Sequence, residues 1–295
     1  MSSDQQRAAN IIAGQLYIVA TPIGNLQDIS PRAIAILKKV DKIAAEDTRH
    51  SSHLLRQLDV NTHCIALHEH NERQYAQRII EQIKAGSHIA LISDAGTPLV
   101  SDPGYFLVKL AHQEGIIVSP VPGPSALIAA LSAAGLATDR FCFEGFVPAK
   151  AGPRKSFYAQ RSKELRTMVF YETPHRIVAS LNDLSNELGE HRLVVMAREL
   201  TKTFETIKKD SARSLYQWVK KDNNQQKGEI VLVVEGFQKP VEVAMLSQQT
   251  EHTLRCLLDE LSLKQAVKLT AEISGEKKKK IYNFALSIKE EQNLS

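Results

Sequence analysis

Apolar and polar residues alternate in blocks along the first half of the chain, and each block has the length of a strand or a helix. Short apolar runs that are typical of buried strands occur at residues 16–20, 41–47, 63–68, 88–92 and 116–120. Three of the four segments between them, all except residues 48–62, have helical spacing. One begins with Ser30 as the predicted N-cap and Pro31 at the first helical position, and another ends at Gly86. Strands that alternate with helices predict an α/β fold with a largely parallel sheet covered on both faces.

The pattern changes near residue 139, which predicts a second domain. Residues 136–155 are rich in proline, glycine and basic residues, and strand-like runs follow at 167–172 and 228–236. A helix closed by Gly189 lies between these two runs. After residue 250 the pattern is helical only, and we expect this short segment to hold no core unaided. The predicted organisation is an N-terminal α/β domain at 14–138, a second α/β domain at 139–238 and a small helical C-terminal region at 250–290.

Composition narrows the class of protein only slightly. Of the 295 residues, 43% are hydrophobic and 24% charged, and the net charge is +4. This is ordinary for a globular protein and permits an anionic partner, but it is too weak to identify one. The three cysteines lie far apart and have neither disulfide nor zinc spacing, which favours a reducing compartment. We expect a cytoplasmic protein, since neither a signal peptide nor a membrane-length apolar run is present.

Residues 93–104, which follow the predicted strand 88–92, are the first candidate for ligand binding. They contain Asp94, Asp102, two prolines and two glycines. In open α/β sheets, ligands bind beyond the carboxyl ends of the strands, where this loop lies. Asp94 can accept hydrogen bonds from a ribose or an ammonium group, and the prolines stiffen the loop. A local turn, in which each aspartate bonds only nearby backbone, is the alternative.

A second loop, residues 120–136, strengthens the ligand-binding interpretation. A Pro-Gly-Pro turn leads into a helix that begins at Ser125 and Ala126, and small residues on this helix allow close packing against the sheet or an adenine-sized ligand. Two stiff loops at one sheet edge predict a slot for a nucleoside-sized molecule. The loop after the first strand has a single glycine, Gly24, and no P-loop sequence occurs, so dinucleotide and P-loop binding are disfavoured.

Seven segments in order carry a family resemblance: LYIVATPIGNLQDISPRA, AAEDTRHSSHLL, LISDAGTPLVSDPG, PVPGPSAL, FEGFVPAK, FYETPHRI and ARELTKTFE. Over residues 14–236 the chain resembles the bacterial small-subunit ribosomal RNA methyltransferases that modify the ribose 2′-oxygen of a decoding-centre cytidine. These form a branch of the tetrapyrrole-methylase superfamily, whose members use S-adenosylmethionine. The first loop lacks the glycine-rich form found in the tetrapyrrole enzymes, which argues against a porphyrin-type substrate.

The resemblance implies a homodimer of two-domain subunits, each with S-adenosylmethionine in the cleft between its α/β domains. It assigns the cofactor to Pro22, Ser93, Asp94, Ala95, Pro98, Ser125, Ala126, Tyr171 and Leu200. A ribose hydroxyl is a weak nucleophile, so a nearby base would assist it. The catalytic candidates are Glu46, Asp47 and Glu172. A charged strand end with a salt bridge is an equally good interpretation of residues 46–49. For His68, Glu69 and His70, a polar strand end is a better interpretation than a metal site, and we predict no metal.

Ribosomal RNA, free or in the assembled small subunit, is the implied partner, and basic side chains would bind its phosphates. The candidates are Arg49, Lys150, Arg154, Lys155, Arg161, Arg176, Arg198 and Lys202. Residues 150–166 hold six basic residues and one acid, and 276–280 form a second basic run. Phe143, Phe146 and Tyr171 are candidates for stacking on a base, although core packing is the commoner role of such residues.

Two other functions fit the same residues. The first is a methyltransferase of the same fold that acts on a tetrapyrrole or another small molecule, which would have a less basic, acid-tolerant cleft and would not need the basic segment. The second is a non-catalytic RNA-binding or ribosome-assembly protein, which would have no affinity for S-adenosylmethionine. Cofactor binding and the identity of the methyl acceptor distinguish these functions.

Overall fold

A computed structural model of the protein describes residues 14–238 and 246–293. The N-terminal residues 1–13, where a signal peptide was judged absent, lie outside this description. The chain divides into two compact units, the first ending at Phe237 and the second beginning at Gln238. The first unit contains two sheets, and each sheet has its own helices.

The first sheet is entirely parallel, as the alternating pattern predicts. Its strands, in the spatial order β3-β2-β4-β1-β5, are β1 Gln15–Val19, β2 Lys42–Ala45, β3 Cys64–Ala66, β4 Ile89–Ile92 and β5 Ile117–Val121. All four residues of β4 are buried, which explains why this strand is a continuous apolar run. Because all strands point the same way, their following loops meet at one edge of the sheet.

Helices cover both faces of the first sheet. They are α1 Pro31–Lys39, α2 Thr48–Gln57, α3 Glu72–Lys84 and α4 Tyr105–Gln113. Helices α1 and α2 pack on the face that contains Val19 and Ile92, and α3 and α4 pack on the opposite face. Ser30 caps α1 as predicted, because its Oγ accepts the Ala33 N–H at 3.1 Å. Pro31 occupies the first turn, also as predicted.

The second sheet mixes parallel and antiparallel pairs. Its strands, in the order β6-β7-β10-β8-β9, are β6 Phe141–Phe146, β7 Thr167–Glu172, β8 Leu193–Arg198, β9 Thr206–Ser211 and β10 Ile230–Val234. Only β6 and β7 are parallel neighbours; the other pairs are antiparallel. The accompanying helices are α5 Ala126–Ala133, α6 Ala151–Ala159, α7 Ile177–Leu188 and α8 Ala212–Lys221.

Strand β10 shows why its sequence, IVLVV, is apolar throughout. Ile230, Leu232 and Val234 face α6, α7 and α8, whereas Val231 and Val233 face α5. Both faces of the sheet are therefore buried. The small residues of α5 pack against the second sheet, so this helix joins the two halves of the unit.

The second unit consists of α9 Gln248–Glu260, α10 Leu263–Ser274 and α11 Lys278–Asn293. The expectation that this segment holds no core unaided was wrong. This unit has a buried cluster of seven apolar residues. Leu246 precedes α9, and the other six, which include Leu254, Val267 and Ile281, lie in the three helices. Helical spacing is clearest in α11, which contributes Ile281, Ala285 and Ile288 at intervals of four and three residues. Within the described ranges, no helix is long and apolar enough to cross a bilayer.

Candidate functional site

The loops after β1 and β4 are joined by backbone hydrogen bonds. Thr21 N–H donates to Gly96 O at 2.8 Å, and Gly96 N–H donates to Thr21 O at 3.1 Å. The buried Thr21 hydroxyl also donates to Ser93 O at 3.3 Å. Gly96 has a φ of 81°, and a Cβ there would lie 3.3 Å from a methyl carbon of Ile23. Two neighbouring loops of the parallel sheet are thus held together as one rigid wall.

The rest of the β4 loop is held in unusual backbone conformations. Leu99 and Ser101, neither of them glycine, have φ values of 73° and 69°. Left-handed non-glycine residues each cost on the order of 1–3 kcal/mol and concentrate at functional sites. Gly104 has a φ of 122°, and a Cβ there would come within 2.6 Å of the Leu91 side chain. The stiffness predicted for this loop from its prolines and glycines therefore has additional backbone causes.

A first cavity of about 390 Å³ opens beside this wall. It is lined from the first sheet by Ile23, Glu46, the loop residues 94–97 and 100–102, Ser125 and Ala126, and from the second by Phe146, residues 171–174 and residues 228–231. Seven of the residues predicted for the cofactor or for catalysis meet here: Glu46, Asp94, Ala95, Ser125, Ala126, Tyr171 and Glu172. The cavity volume lies within the range of small-molecule binding sites.

The first cavity is strongly acidic. Its lining includes five carboxylates, and no lysine, arginine or histidine is among its lining residues. Burial raises the pKa of Asp102 to about 6, with a further increase from Asp94. Burial, followed by the charges of Asp94 and Asp102, also raises the pKa of Glu46. Glu172 and Glu229 are ion-paired with Arg176 and Lys202, which lie outside this lining. The other three carboxylates, those of Glu46, Asp94 and Asp102, disfavour anionic ligands and favour a cation.

Asp102 and Glu229 were not predicted as site residues. Asp102 belongs to the loop that the sequence marks for ligand binding, but no role in the site was assigned to it. Glu229 precedes β10, in a segment with no motif, and reaches the cavity only because the second sheet is antiparallel there.

Glu172 has a buried acceptor atom that is not hydrogen-bonded. Its Oε1 accepts the Thr173 N–H at 2.7 Å and pairs with Arg176 Nε at 3.2 Å. Its Oε2 is buried without a partner. An unpaired buried carboxylate oxygen is costly, and since the Glu172 side chain is fully buried, this oxygen presents no surface to a ligand in the cavity.

Asp94 connects three parts of the site. Its Oδ1 accepts the backbone N–H of Asp47 at 3.1 Å, which holds the start of α2 against the β4 loop. The same residue lines the first cavity and a second one of about 300 Å³. The alternative of a purely local turn for Asp94 therefore does not fit the structure.

The second cavity lies between the β1 loop, α2 and the second sheet. It is lined by Pro22, Ile23, Gly24, Leu26, His50, His53, Leu54, Gln57, Asp94, Ala95, Lys202 and Glu229. Pro22, predicted to contact the cofactor, lies here rather than in the first cavity. Sequence reasoning missed the two histidines, whose signal was their spacing of three residues on a helix.

Four of the residues predicted for the cofactor or for catalysis line neither cavity. Ser93 is buried and its hydroxyl donates to Ala95 O, and Leu200 packs in the apolar cluster between α5 and the second sheet. Pro98 is also absent from both linings. Asp47 caps α2, because its Oδ1 accepts the Arg49 N–H at 2.8 Å, and it forms an exposed ion pair with Arg49. The prediction of a catalytic Asp47 does not fit this position, and the salt-bridged strand end does.

Two of the predicted RNA-binding residues are not accessible to RNA. Arg154 is 5% exposed, with its Nε 2.7 Å from Asp183 Oδ2. Arg198 is 7% exposed and donates to Gln225, Lys227, Phe204 and Thr206. Both predictions fail because a guanidinium can satisfy a buried polar network, which a count of basic residues does not reveal.

Some of the remaining predicted basic residues form ion pairs with buried or half-buried acidic side chains, and others are exposed. Arg161 pairs with Glu144, Arg176 with Glu172, and Lys202 with both Glu199 and Glu229. Arg49, Lys150 and Lys155 are exposed. The exposed side chains are the ones whose positions suit contact with phosphates.

The aromatic candidates divide between packing and exposure. Tyr171 packs edge-on against both Phe143 and Phe146, with ring centroids 4.8 Å and 5.4 Å apart. Phe146 is 53% exposed and lines the first cavity, so it alone of the three presents a large free surface. In the part of the chain that the structure describes, no group of three histidine, cysteine or acidic side chains is arranged to hold a metal ion.

The chain is similar to proteins of known class along almost its whole length. A family model for tetrapyrrole (corrin/porphyrin) methylases matches residues 15–216, and a model of the RsmI C-terminal HTH domain matches residues 244–289. A protein of Escherichia coli O157:H7 called ribosomal RNA small subunit methyltransferase I is 51% identical over 96% of this chain and 98% of its own length. A Pseudomonas aeruginosa protein with the same name is 52% identical over 93% and 97%.

Two solved structures share the fold of the first unit at low sequence identity. A diphthine synthase has a TM-score of 0.58 at 18% identity and covers 75% of this chain and 90% of its own. A uroporphyrin-III-C-methyltransferase from Thermus thermophilus has a TM-score of 0.53 at 17% identity, with 75% and 94% covered. From the matched family model and from relatives half identical over nearly the full length, the chain belongs to the tetrapyrrole methylase family, in the branch of the ribosomal RNA small subunit methyltransferases I.

Proposed function

We propose that this protein transfers a methyl group from S-adenosylmethionine to the ribose 2′-oxygen of a cytidine in the decoding centre of small-subunit ribosomal RNA. As a member of its family the chain is a methyltransferase. The observation that supports the proposal most strongly is the acid-lined first cavity at the carboxyl ends of β1, β4 and β5. The names of the relatives support ribosomal RNA as the acceptor.

The residues of the first cavity fit the methyl donor. S-adenosylmethionine carries a sulfonium and an ammonium charge, and the lining offers carboxylates without a competing basic side chain. Asp94, Asp102 and Glu46 would hold the cationic and ribose groups of the donor. Ser125 and Ala126, at the start of α5, leave room for a flat ring.

When bound, the donor supplies an activated methyl group on sulfur. The protein then has to align the acceptor hydroxyl, exclude water and receive one proton. The stiff wall formed by the β1 and β4 loops would align the acceptor hydroxyl and exclude water, because its backbone is already fixed. We propose Glu46 or Asp102 as the carboxylate that receives the proton, because a raised pKa makes each of them a better base than an ordinary carboxylate.

We also propose that the protein works as a homodimer in the cytoplasm, where its ribosomal substrate is found. The edge strand β5 supports a protein contact, since Ile117 on it is 63% exposed. Light scattering on the full chain should give twice the 32.8 kDa of one subunit. A mass of one subunit at all concentrations would contradict the dimer and leave the catalytic proposal standing.

The proposed reaction is tested by methyl transfer from labelled donor to small-subunit particles that lack the modification. We expect the label in the RNA. After alkaline hydrolysis it should remain in a dinucleotide, because a methylated 2′-oxygen blocks cleavage at that position. Naked ribosomal RNA and a porphyrinogen serve as alternative acceptors. Label only in the porphyrinogen would support a small-molecule methyltransferase. RNA binding with no calorimetric signal for the donor would support a non-catalytic RNA-binding protein.

Donor binding is expected to depend on pH. The Asp102 carboxyl, with a pKa raised to about 6, is protonated below that pH and ionised above it. The ionised form attracts a cation, so the dissociation constant of the donor should fall as the pH rises through about 6. Glu46, whose pKa is also raised, acts in the same direction. Calorimetry across this range measures the effect.

The control for this pH dependence is Asp102→Asn, which cannot ionise. Above about pH 6, the affinity of this variant for the donor should be lower than that of the wild-type protein. Its affinity should also change less with pH than that of the wild type. An affinity in the wild-type protein that weakens with rising pH would contradict the cationic-ligand interpretation of the cavity.

A further inference from the structure

The second cavity shares part of its wall with the first. Ile23, Asp94, Ala95 and Glu229 line both, so a ligand in one lies against the same side chains as a ligand in the other. The second cavity, at about 300 Å³, is at the lower limit of small-molecule sites. Methyl transfer needs donor and acceptor at adjoining positions, and these two cavities meet that need.

One face of α2 forms a wall of the second cavity. Residues His50, His53, Leu54 and Gln57 line it, and their spacing of three, four and seven puts them on one side of a helix. The opposite side is fixed in the core, since Ser51 is buried and Leu55 packs under the sheet. His50 and His53 are exposed, so their rings are presented to the cavity on a firm support.

The wall from the second sheet is equally fixed. Lys202 Nζ lies 2.9 Å from Glu199 Oε1 and 3.0 Å from Glu229 Oε2, which holds its side chain in place. A Cβ on Gly24 would come within 2.4 Å of the Lys202 side chain, so the β1 loop and this lysine are in close contact. The second cavity is thus bounded by both halves of the first unit.

The two cavities have different chemistry. The first has five carboxylates and no basic side chain in its lining. The second adds two imidazoles, an amide and a lysine, all able to donate hydrogen bonds, and the 91% exposed side chain of Arg49 adjoins it along the chain. The second cavity shares the Asp94 and Glu229 carboxylates with the first, and its Lys202 is already paired with Glu199 and Glu229. The donors that remain for an acceptor strand are those of His50, His53 and Gln57, which the first cavity lacks.

We infer that the second cavity is the acceptor-nucleotide subsite, in which His50, His53 and Gln57 bind one nucleotide of a single-stranded RNA segment. This inference rests on the proposed function. Imidazole and amide groups suit both the edge of an unpaired base and a phosphate oxygen. The shared wall at Asp94 and Ala95 puts the nucleotide next to the donor. These three side chains are substrate-binding residues for the acceptor and have no part in holding the donor.

The test compares the His50→Ala/His53→Ala double variant with Arg56→Ala. Arg56 lies on the same helix but outside the cavity lining, and its removal takes away a full positive charge. We measure binding of unmethylated small-subunit particles and of the RNA extracted from them without donor, the KM and kcat for methyl transfer, and donor affinity by calorimetry.

For the double variant we expect RNA affinity to fall and KM to rise by about tenfold, as the loss of one or two hydrogen bonds to charged groups implies. Donor affinity should stay within about twofold of wild type, and Arg56→Ala should change RNA affinity by less than about threefold. RNA binding and KM equal to wild type in the double variant would overturn the inference. A loss of donor affinity with unchanged RNA affinity would also overturn it. Failure of the proposed function is distinguished from failure of this inference by the wild-type protein, which would then methylate no RNA.

Discussion

Asp94→Ala is expected to weaken binding of S-adenosylmethionine by about ten- to a hundredfold, because a hydrogen bond to a charged group contributes about 1.5–3 kcal/mol. The carboxylate lines both cavities and also accepts the Asp47 N–H, so alanine removes a charge and releases the start of α2. Isothermal calorimetry with the donor measures the affinity directly. Circular dichroism checks that the fold is intact.

The matched variant is Asp94→Asn, whose side-chain oxygen can still accept the Asp47 N–H. If the charge attracts the donor, both variants bind weakly. If the role of Asp94 is only to hold α2, asparagine should bind as wild type does and alanine should not. An alanine variant with wild-type affinity would remove Asp94 from the proposed cofactor site.

Arg154→Ala is expected to lower the free energy of unfolding by about 3–5 kcal/mol, since it leaves a buried charge without its partner. The side chains of Arg154 and Asp183 are only 6% and 7% exposed, and their Nε and Oδ2 atoms are 2.7 Å apart. Arg154 also donates to Ala149 O at 3.0 Å. Urea unfolding measures the loss. The double variant Arg154→Met/Asp183→Leu, which removes both charges, should recover most of it.

The neighbouring Lys155 provides the control for this substitution, because it is exposed on the same helix. Lys155→Ala should change the free energy of unfolding by less than about 0.5 kcal/mol. It should also reduce by about one the slope of a plot of the logarithm of the RNA-binding constant against the logarithm of the salt concentration. Equal stability losses in the two variants would contradict the assignment of Arg154 to the core. An unchanged salt dependence for Lys155→Ala would remove that residue from the RNA surface.

The sequence predicts the first sheet well because both of its faces are covered by sequence-adjacent helices. Each strand there is a short apolar run, as in the fully buried β4. Strand β9, with the sequence TIKKDS, has no such run, since it is a partly exposed edge strand. Helix α2 was also missed, because its apolar residues are few and histidines occupy the face toward the second cavity.

The candidate site could be predicted where its residues follow strands within one sheet. Asp94, Ser125 and Ala126 come after β4 and β5, and the rule for parallel sheets puts them together. Residues such as Glu229 enter from the second sheet, and no local pattern shows which of its loops will face the first. Burial was the other obstacle, since Arg154 and Lys155 are adjacent basic residues with opposite environments.

The left-handed backbone at Leu99 and Ser101 has a consequence for attempts to engineer the protein. Glycine at residue 101 would relieve backbone strain on the order of 1 kcal/mol, whereas glycine at residue 99 would also remove the Leu99 side chain, which packs against the core of the first sheet. A screen for heat resistance alone should therefore select glycine at residue 101 and keep leucine at residue 99. The same substitution would make the loop more mobile. Variants selected in this way should therefore be more heat-resistant and less active than the parent protein.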